Sequence, residues 1–372
     1  MDDLLEVTML PGQEGDCLQI TYGQKSDKKY ILIDGGRKWT YENSLQEVLG
    51  DSGISELELL VITHVDRDHI DGVMALCKDD ALQLHVKDVW FNTYDHLRGR
   101  SINPPANDGG LELEPMGPKM GEALSDLLIK REWPWNNHFG GHAIELRDDP
   151  SDNVLKIGDA TLTILSPDRD KLQAFIPTWK KECEEEGLVP GVEIEEHVAD
   201  DDHEEMGANE RYNIESLASI PFEEDDSKAN GSSIAFLLEF KGKRILFAGD
   251  AHADIIQREL ENLLAPGEKK IKLDAFKIPH HGSSCNISED LLDLVDCDHF
   301  LISTNGSYYK HPDPAAMARI IKFGGEKKTL HFNFSTKYTE CWDKSRWKRQ
   351  YKYDVSYPDD DNEGRKSLVL IG

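Results

Sequence analysis

Between Thr63 and Gly72 the chain reads Thr-His-Val-Asp-Arg-Asp-His-Ile-Asp-Gly. His64, Asp66, Asp68 and His69 fall within six positions, directly after the apolar run Leu59-Leu60-Val61-Ile62. Imidazole nitrogens and carboxylate oxygens are good donors to zinc, manganese or iron. Four of them at the end of a buried strand can share one pocket, and the spacing suits two ions side by side. Such a pair lowers the pKa of a water between them, so a nucleophile is available near neutral pH for attack on phosphorus or a carbonyl. The bland alternative is a polar loop whose histidines cap the next helix. The density of ligand types in so short a stretch favours the metal.

Three further clusters also close apolar runs: Asp34-Gly35-Gly36, Gly249-Asp250 and Pro279-His280-His281-Gly282-Ser283. Asp34 or Asp250 alone reads as a turn aspartate. Adjacent histidines at a strand end with glycine behind them have few structural uses. As an ordered set the four clusters are far more specific than any one, because active sites of layered α/β proteins collect at strand ends.

The elements that must position these clusters follow from periodicity and turn residues. Strands are predicted over 5–10, 17–22, 29–34, 58–63, 87–92, 161–165, 273–278, 300–304, 329–334 and 367–371, with a hairpin of 233–240 and 243–248 around Lys241-Gly242. Helices are predicted over 43–49, 70–77, 122–131, 169–186, 253–264, 288–295 and 314–323. This outline has two strand-and-helix halves within one domain, 1–372, and looser insertions at about 93–155 and 168–230. The acidic runs Glu184-Glu185-Glu186, Asp200-Asp201-Asp202 and Glu223-Glu224-Asp225-Asp226 read as solvated surface.

The order Asp34-Gly-Gly, His64-x-Asp66-x-Asp68-His69, Gly249-Asp250 and His280-His281-Gly282-Ser283 resembles the metallo-β-lactamase superfamily of dinuclear metal hydrolases. The likeness spans roughly 1–92 and 155–372. Asp66 stands where the superfamily's usual second histidine would be. That variant, with Asn230-Gly231-Ser232-Ser233 and Tyr308-Tyr309-Lys310-His311-Pro312, resembles the hydrolase domain of ComEC-type DNA-uptake proteins. The resemblance implies a four-layer αββα sandwich with two divalent metal ions, zinc or manganese, along one edge. It implies His64 and Asp66 on the first ion, Asp68, His69 and His280 on the second, and Asp250 between them. His281 either replaces His280 or contacts substrate, and Asp34 orients ligands from behind. A histidine that the superfamily often adds to the first ion has no clear equivalent; His138 and His142 read as surface or fold histidines. The first ion's donors are thus rich in oxygen, which suits manganese.

Catalysis would fall to Asp68, which steers the nucleophile, and to His281, His311 or Lys310, which serve the leaving oxygen. Asn230, Ser232, Ser233 and Ser283 would contact substrate, or else serve only as turn and strand-edge structure. The branch resemblance favours a phosphodiester: DNA, RNA or a nucleotide. The segment from Cys341 to Tyr353 is basic and aromatic, and reads either as a phosphate-and-base-binding strip or as an amphipathic cover for the sheet. A formal net charge of −29 and a pI near 4.8 oppose contact with extended nucleic acid over most of the surface. The chain has six scattered cysteines and no long apolar stretch, which predicts a cytoplasmic protein that does not enter a membrane. The leading expectation is a nuclease or phosphodiesterase acting as an effector in antiviral defence, with the acidic insertions as surfaces for a protein partner. The alternatives are a lactone or thioester metallohydrolase and a metal-binding scaffold without turnover.

Overall fold

A computed structural model describes residues 2–51, 53–102, 119–185, 212–359 and 364–372. Much of both insertions, including the acidic run at 200–202, lies outside the described residues, and the run at 184–186 straddles the end of helix Arg169–Glu185.

Two sheets face each other. The first has the spatial order Lys366–Ile371, Asp3–Met9, Leu18–Gln24, Asp27–Ile33, Leu59–Val61, Val89–Trp90. The second runs Tyr353–Ser356, Lys328–Phe332, Val295–Ile302, Ile271–Lys277, Lys243–Phe247, Ala235–Phe240, Ala160–Ser166, Val154–Ile157. Alternation of side chains along each strand explains the layering. Ile31, Ile33, Leu59 and Val61 meet Phe236, Leu238, Ile245 and Phe247 in the core between the sheets. Leu32 and Leu60 point the other way, into a core shared with helices Arg67–Lys78, Lys119–Arg131 and Arg169–Glu185. Leu246, Leu273 and Phe300 do the same beneath helices Ala253–Leu263 and Pro314–Phe323. The result is the four-layer αββα sandwich that the resemblance implies.

Strand direction decides where the polar clusters go. Asp27–Ile33 and Leu59–Val61 are parallel neighbours. In the second sheet, Lys243–Phe247, Ile271–Lys277, Val295–Ile302 and Lys328–Phe332 are parallel in turn. Parallel strands finish on the same side, so Asp34, His64, Asp250, His280 and His281 all emerge at one edge. A backbone bond from Ile234 N to Thr63 O at 2.9 Å ties the two sheets together there, and one from His280 N to Gly249 O at 3.0 Å joins neighbouring strand ends of the second sheet.

Several boundaries differ from the sequence reading. The helix expected from Ile70 starts at Arg67, so Asp68 and His69 sit in its first turn and Asp66 at its N-cap position. The strand expected from Phe300 starts at Val295, because Asp296 and Asp298 alternate with Val295 and Cys297 and mask the apolar face. Strand Val154–Ile157 and short helices Ile214–Ala218 and Lys228–Gly231 stand at or within the stretches expected to be irregular, and strand Tyr353–Ser356 follows the basic segment. The rings of the basic segment turn inward: Trp342 and Tyr353 are buried, and Trp347 and Tyr351 pack against the same core. That segment is a cover for the sheet, and those rings are not free to stack on bases. The five described cysteines are free thiols. No helix among the described residues is long and apolar enough to cross a membrane.

The first turn of helix Arg67–Lys78 reaches the edge only because two glycines touch. A Cβ on Gly72 would lie 2.0 Å from the Gly35 carbonyl oxygen, and one on Gly35 would lie 2.4 Å from the Val73 nitrogen. Both obstacles are backbone. Gly72→Ala is therefore expected to destabilise the protein by about 2–3 kcal/mol, read from the urea midpoint, whereas alanine at Gly50, where nothing stands within 4 Å, should leave that midpoint in place or raise it.

Candidate metal centre

Three imidazoles converge at this edge, and in each the Nδ1 side is already engaged. His69 Nδ1 donates to Asp34 Oδ2 at 2.8 Å. His281 Nδ1 donates to the Ser303 carbonyl oxygen at 3.0 Å. His64 Nδ1 lies 3.1 Å from Thr63 Oγ1, whose own proton goes to Asp34 Oδ2 at 2.7 Å. These contacts fix the tautomers, so the Nε2 lone pairs all face one point. His69 Nε2 and His281 Nε2 stand 3.3 Å apart. Two acceptors at that distance require a proton or a cation between them. His64 Nε2 is buried without a hydrogen-bond partner.

Asp250 completes the convergence. Its Oδ2 lies 3.4 Å from His69 Nε2, 3.6 Å from His281 Nε2 and 3.9 Å from His64 Nε2. Its Oδ1 is buried with no partner. Asp68 Oδ2 is 3.5 Å from His281 Nε2, and Asp66 Oδ2 is 3.5 Å from His64 Nε2. His64, His69 and Asp250 form one group of candidate metal ligands, and Asp68, His69 and His281 form another. Orphaned buried donors of the right chemistry, arranged as two overlapping groups, fit a pair of divalent ions.

The electrostatics point the same way. Burial raises the Asp68 and Asp250 pKa values, yet His69 and His281 outweigh it and hold both carboxyls well below the usual range. Burial lowers the His281 pKa, but Asp250, Asp16 and Asp68 override it and push it up to about 10. His69 is likewise raised well above its ordinary value against burial, by Asp250, Asp34 and Asp68. The carboxylates thus demand positive charge at the Nε2 atoms, whether protons or metal ions.

Asp34 sits behind the ligands. Besides His69 Nδ1 and Thr63 Oγ1, it accepts the Thr63 backbone N–H at 2.8 Å. Its backbone is left-handed, with φ 56°. Ser233 is placed inward: its Oγ accepts the Asp250 N–H at 3.0 Å and lies 3.4 Å from His64 Nδ1. Ser232 Oγ donates to Ala229 O, and Ser283 Oγ accepts the Cys285 N–H. These three hydroxyls brace the centre and its turns. Asn230 Nδ2 donates to Asp225 Oδ2 at 2.7 Å, and its buried Oδ1 has no partner.

His280 and His281 part company. His281 belongs to the ligand groups above, whereas His280 is bound at Nδ1, 3.0 Å from Asn286 Oδ1 and 3.4 Å from Asp225 Oδ2. Its Nε2 is 3.9 Å from Asp250 Oδ2. Asp225, read as solvated surface, is a partner of this histidine. Asp16 was not singled out in the sequence, yet it is fully buried, pairs with the buried Lys277 at 2.5 Å and lies 3.5 Å from His281 Nδ1. Burial raises its pKa, but Lys277 and His281 bring it down to about 2. The Gly15-Asp16 pair before a strand resembles Gly249-Asp250 and was the available signal. His138 pairs with Asp88 and His142 is exposed, both away from the centre.

A file of rings runs outward. His280 packs on His311 with centroids 5.4 Å apart, His311 stacks on Tyr309 at 5.9 Å, and Tyr309 meets Tyr308 at 4.6 Å. Tyr308 and Tyr309 are more than half exposed. His311 Nδ1 is held by Asp313 at 3.2 Å.

No family model matches the chain, and no curated protein matches it in sequence. Among solved structures it is similar in fold to CmlA, a diiron β-hydroxylase from Streptomyces venezuelae (13% identity, TM-score 0.41), over 99% of this chain and 54% of that one. The chain thus spans about half the length of CmlA. It is also similar to the metallo-β-lactamase fold protein YhfI from Bacillus subtilis (10% identity, TM-score 0.38), over 98% and 99% of the two chains. A third neighbour is a diphosphatase from the PhnP family (10% identity, TM-score 0.35), with 99% of each chain covered.

Two outcomes follow from this geometry. Asp34→Asn keeps the shape but sets an amide N–H against one of three donors, and should weaken zinc or manganese binding by about 10–100-fold in calorimetric titration. In the metal-free protein the raised His281 pKa contributes stability that is complete below the ordinary histidine value of about 6.5. That contribution is lost as pH climbs towards about 10. Metal ions replace those protons, so saturation with zinc should flatten the fall in thermal midpoint over this window.

Proposed function

We propose that the chain is a dinuclear-metal-dependent phosphodiesterase acting on nucleic acids or nucleotides, most simply a nuclease. The observation that carries this reading is the convergence of His64, His69, His281, Asp68 and Asp250 on one buried spot, with His64 Nε2 and Asp250 Oδ1 unpartnered and the half-exposed Asp66 beside it, 3.5 Å from His64 Nε2. His64 and Asp66 would hold one ion, Asp68, His69 and His281 the other, with Asp250 between them. Zinc or manganese bound there supplies Lewis acidity and a nucleophile drawn from water near neutral pH.

The chain's own groups do the rest. Asp34 and Ser303 fix the imidazoles so that no reorganisation is needed. Asp68, next to the ligand His69 in the first turn of its helix, steers the attacking oxygen. Asp313 holds His311 by Nδ1, leaving Nε2 to deliver a proton to the leaving oxygen. Lys310 and the unpartnered Asn230 Oδ1 would contact substrate oxygens and donors. Tyr308 and Tyr309, exposed beside His311, offer a stacking face of the kind a base needs. The resemblance to the ComEC-type branch supports the same substrate class.

Purified protein loaded with manganese or zinc should cleave at least one of single-stranded DNA, duplex DNA, RNA and a cyclic dinucleotide. Asp68→Ala should remove that activity. His311→Ala should lower kcat by about 10²-fold and leave metal content unchanged. Failure to cleave any of the four by a fully metal-loaded sample would overturn the reading and turn attention to lactones and thioesters.

A further inference from the structure

The acidic chain carries a contrary patch. From Lys322 to Lys352 there are nine basic and three acidic residues, against 42 basic and 71 acidic in the whole. The fold gathers five of these cations, Lys327, Lys328, Lys348, Arg349 and Lys352, around a concavity of about 520 Å³ with a single carboxylate, Asp354. Two of the five are already engaged. Lys348 pairs with Asp343 at 2.9 Å, and Lys328 Nζ donates to the Ile321 carbonyl oxygen at 2.7 Å. Lys327, Arg349 and Lys352 are exposed, and no ion pair engages them among the described residues.

Burial, followed by the nearby Lys270, drives the Lys328 pKa down to about 8. It is the exposed Lys327, Arg349 and Lys352 around one concavity that gather positive charge and favour an anion there. The patch lies at the start of the strand Lys328–Phe332. The far end of that strand, at Asn333, borders the metal edge, where Asn333 Oδ1 accepts the Thr304 N–H. At about 3.3 Å per residue the two places are roughly 15–20 Å apart along the sheet.

The chemistry on offer is charge without rings. Tyr353 lines the concavity but is buried with Trp342 in the sheet's outer core, and Trp347 and Tyr351 are partly buried against that core. Lys344 and Arg346 continue the basic run beyond the concavity, so the row is longer than one phosphate needs. We propose that this cleft is an exosite for the phosphate backbone of a nucleic-acid strand, gripping a long substrate while another stretch of it lies in the metal centre. It reads phosphates and not bases, so its binding is independent of sequence and falls with salt. The inference rests on the phosphodiesterase reading for its purpose, but not for its detection.

The test is a fluorescence-anisotropy titration of a labelled 30-nucleotide single strand onto metal-loaded Asp68→Ala protein. At ~3.4 Å of axis per nucleotide such a strand is long enough to touch both places. Adding Lys327→Glu and Arg349→Glu should weaken binding at least tenfold and make the salt slope shallower by about 0.7 for each phosphate that the protein no longer neutralises. Lys25→Glu with Lys28→Glu, an equal change of charge on another face, should leave affinity within twofold. With Asp68 intact, the Lys327/Arg349 variant should hydrolyse bis(p-nitrophenyl) phosphate at the wild-type rate, which also shows that it is folded. Unchanged affinity in that variant overturns the exosite, as does an equal loss in the Lys25/Lys28 control. Displacement of the strand by millimolar inorganic phosphate at constant ionic strength also overturns it, because it would mark a single-phosphate pocket. A strand gripped through the patch but cleaved by no metal-loaded form would sink the activity reading and leave the exosite standing. Cleavage with wild-type affinity by the Lys327/Arg349 variant would do the reverse.

Discussion

The centre depends on one buried carboxylate. Asp34 has no exposure, sits in left-handed backbone, and accepts hydrogen bonds from the Thr63 amide, the Thr63 hydroxyl and His69 Nδ1. A charge buried this deeply is tolerable only when its lone pairs are filled. Meeting that requirement locks the end of strand Leu59–Val61 against the end of strand Asp27–Ile33. It also sets the tautomer of His69 and, through the threonine hydroxyl, that of His64. The direction of two candidate ligands is thus settled by a residue that touches no metal. Gly35 and Gly72 let helix Arg67–Lys78 approach closely enough for this to happen.

Much of this was legible in the chain. Residues His64 to His69 are contiguous, so their grouping needs no tertiary knowledge. Asp34, Asp250 and His281 each follow an apolar run, and parallel strands bring such ends together. The less visible parts are those whose partners lie far off in sequence. Asp16 matters because Lys277 and His281 surround it, some 260 positions later. Asp225 stands in a run of four acidic residues that looks like solvated surface, and only Asn230, Asn286 and His280 give it a role. Ser233 reads as a strand-edge serine until the fold aims it at the Asp250 amide. Single residues reveal chemistry when their type is rare for structure, as with paired histidines. They conceal it when their type is common in loops.

Charge is distributed with the same division of labour. The metal edge collects Asp16, Asp34, Asp66, Asp68 and Asp250, with Lys277 as the buried counter-ion. The basic residues between Lys322 and Lys352 lie chiefly at and beyond the opposite end of the second sheet, held there because their aromatic neighbours anchor the segment in the outer core. An acidic centre attracts cations and repels phosphate. A phosphate-bearing molecule therefore needs either bound metal or a distant basic surface to remain near it.

The first sheet is closed by strand Lys366–Ile371, which pairs Leu5 with Ile371 and Met9 with Lys366. On a ribosome this has a consequence for order of events. His64 and His69 emerge more than 180 residues before Asp250, and His281 follows later still. For most of synthesis the chain displays half of a centre, and one edge of strand Asp3–Met9 waits unpaired for a partner not yet made. Closing so long a loop is slow relative to local folding. Capture of two ions at this centre would have to wait until Asp250 and His281 have been made, and a truncated chain would carry the His64 to His69 motif without its distant partners.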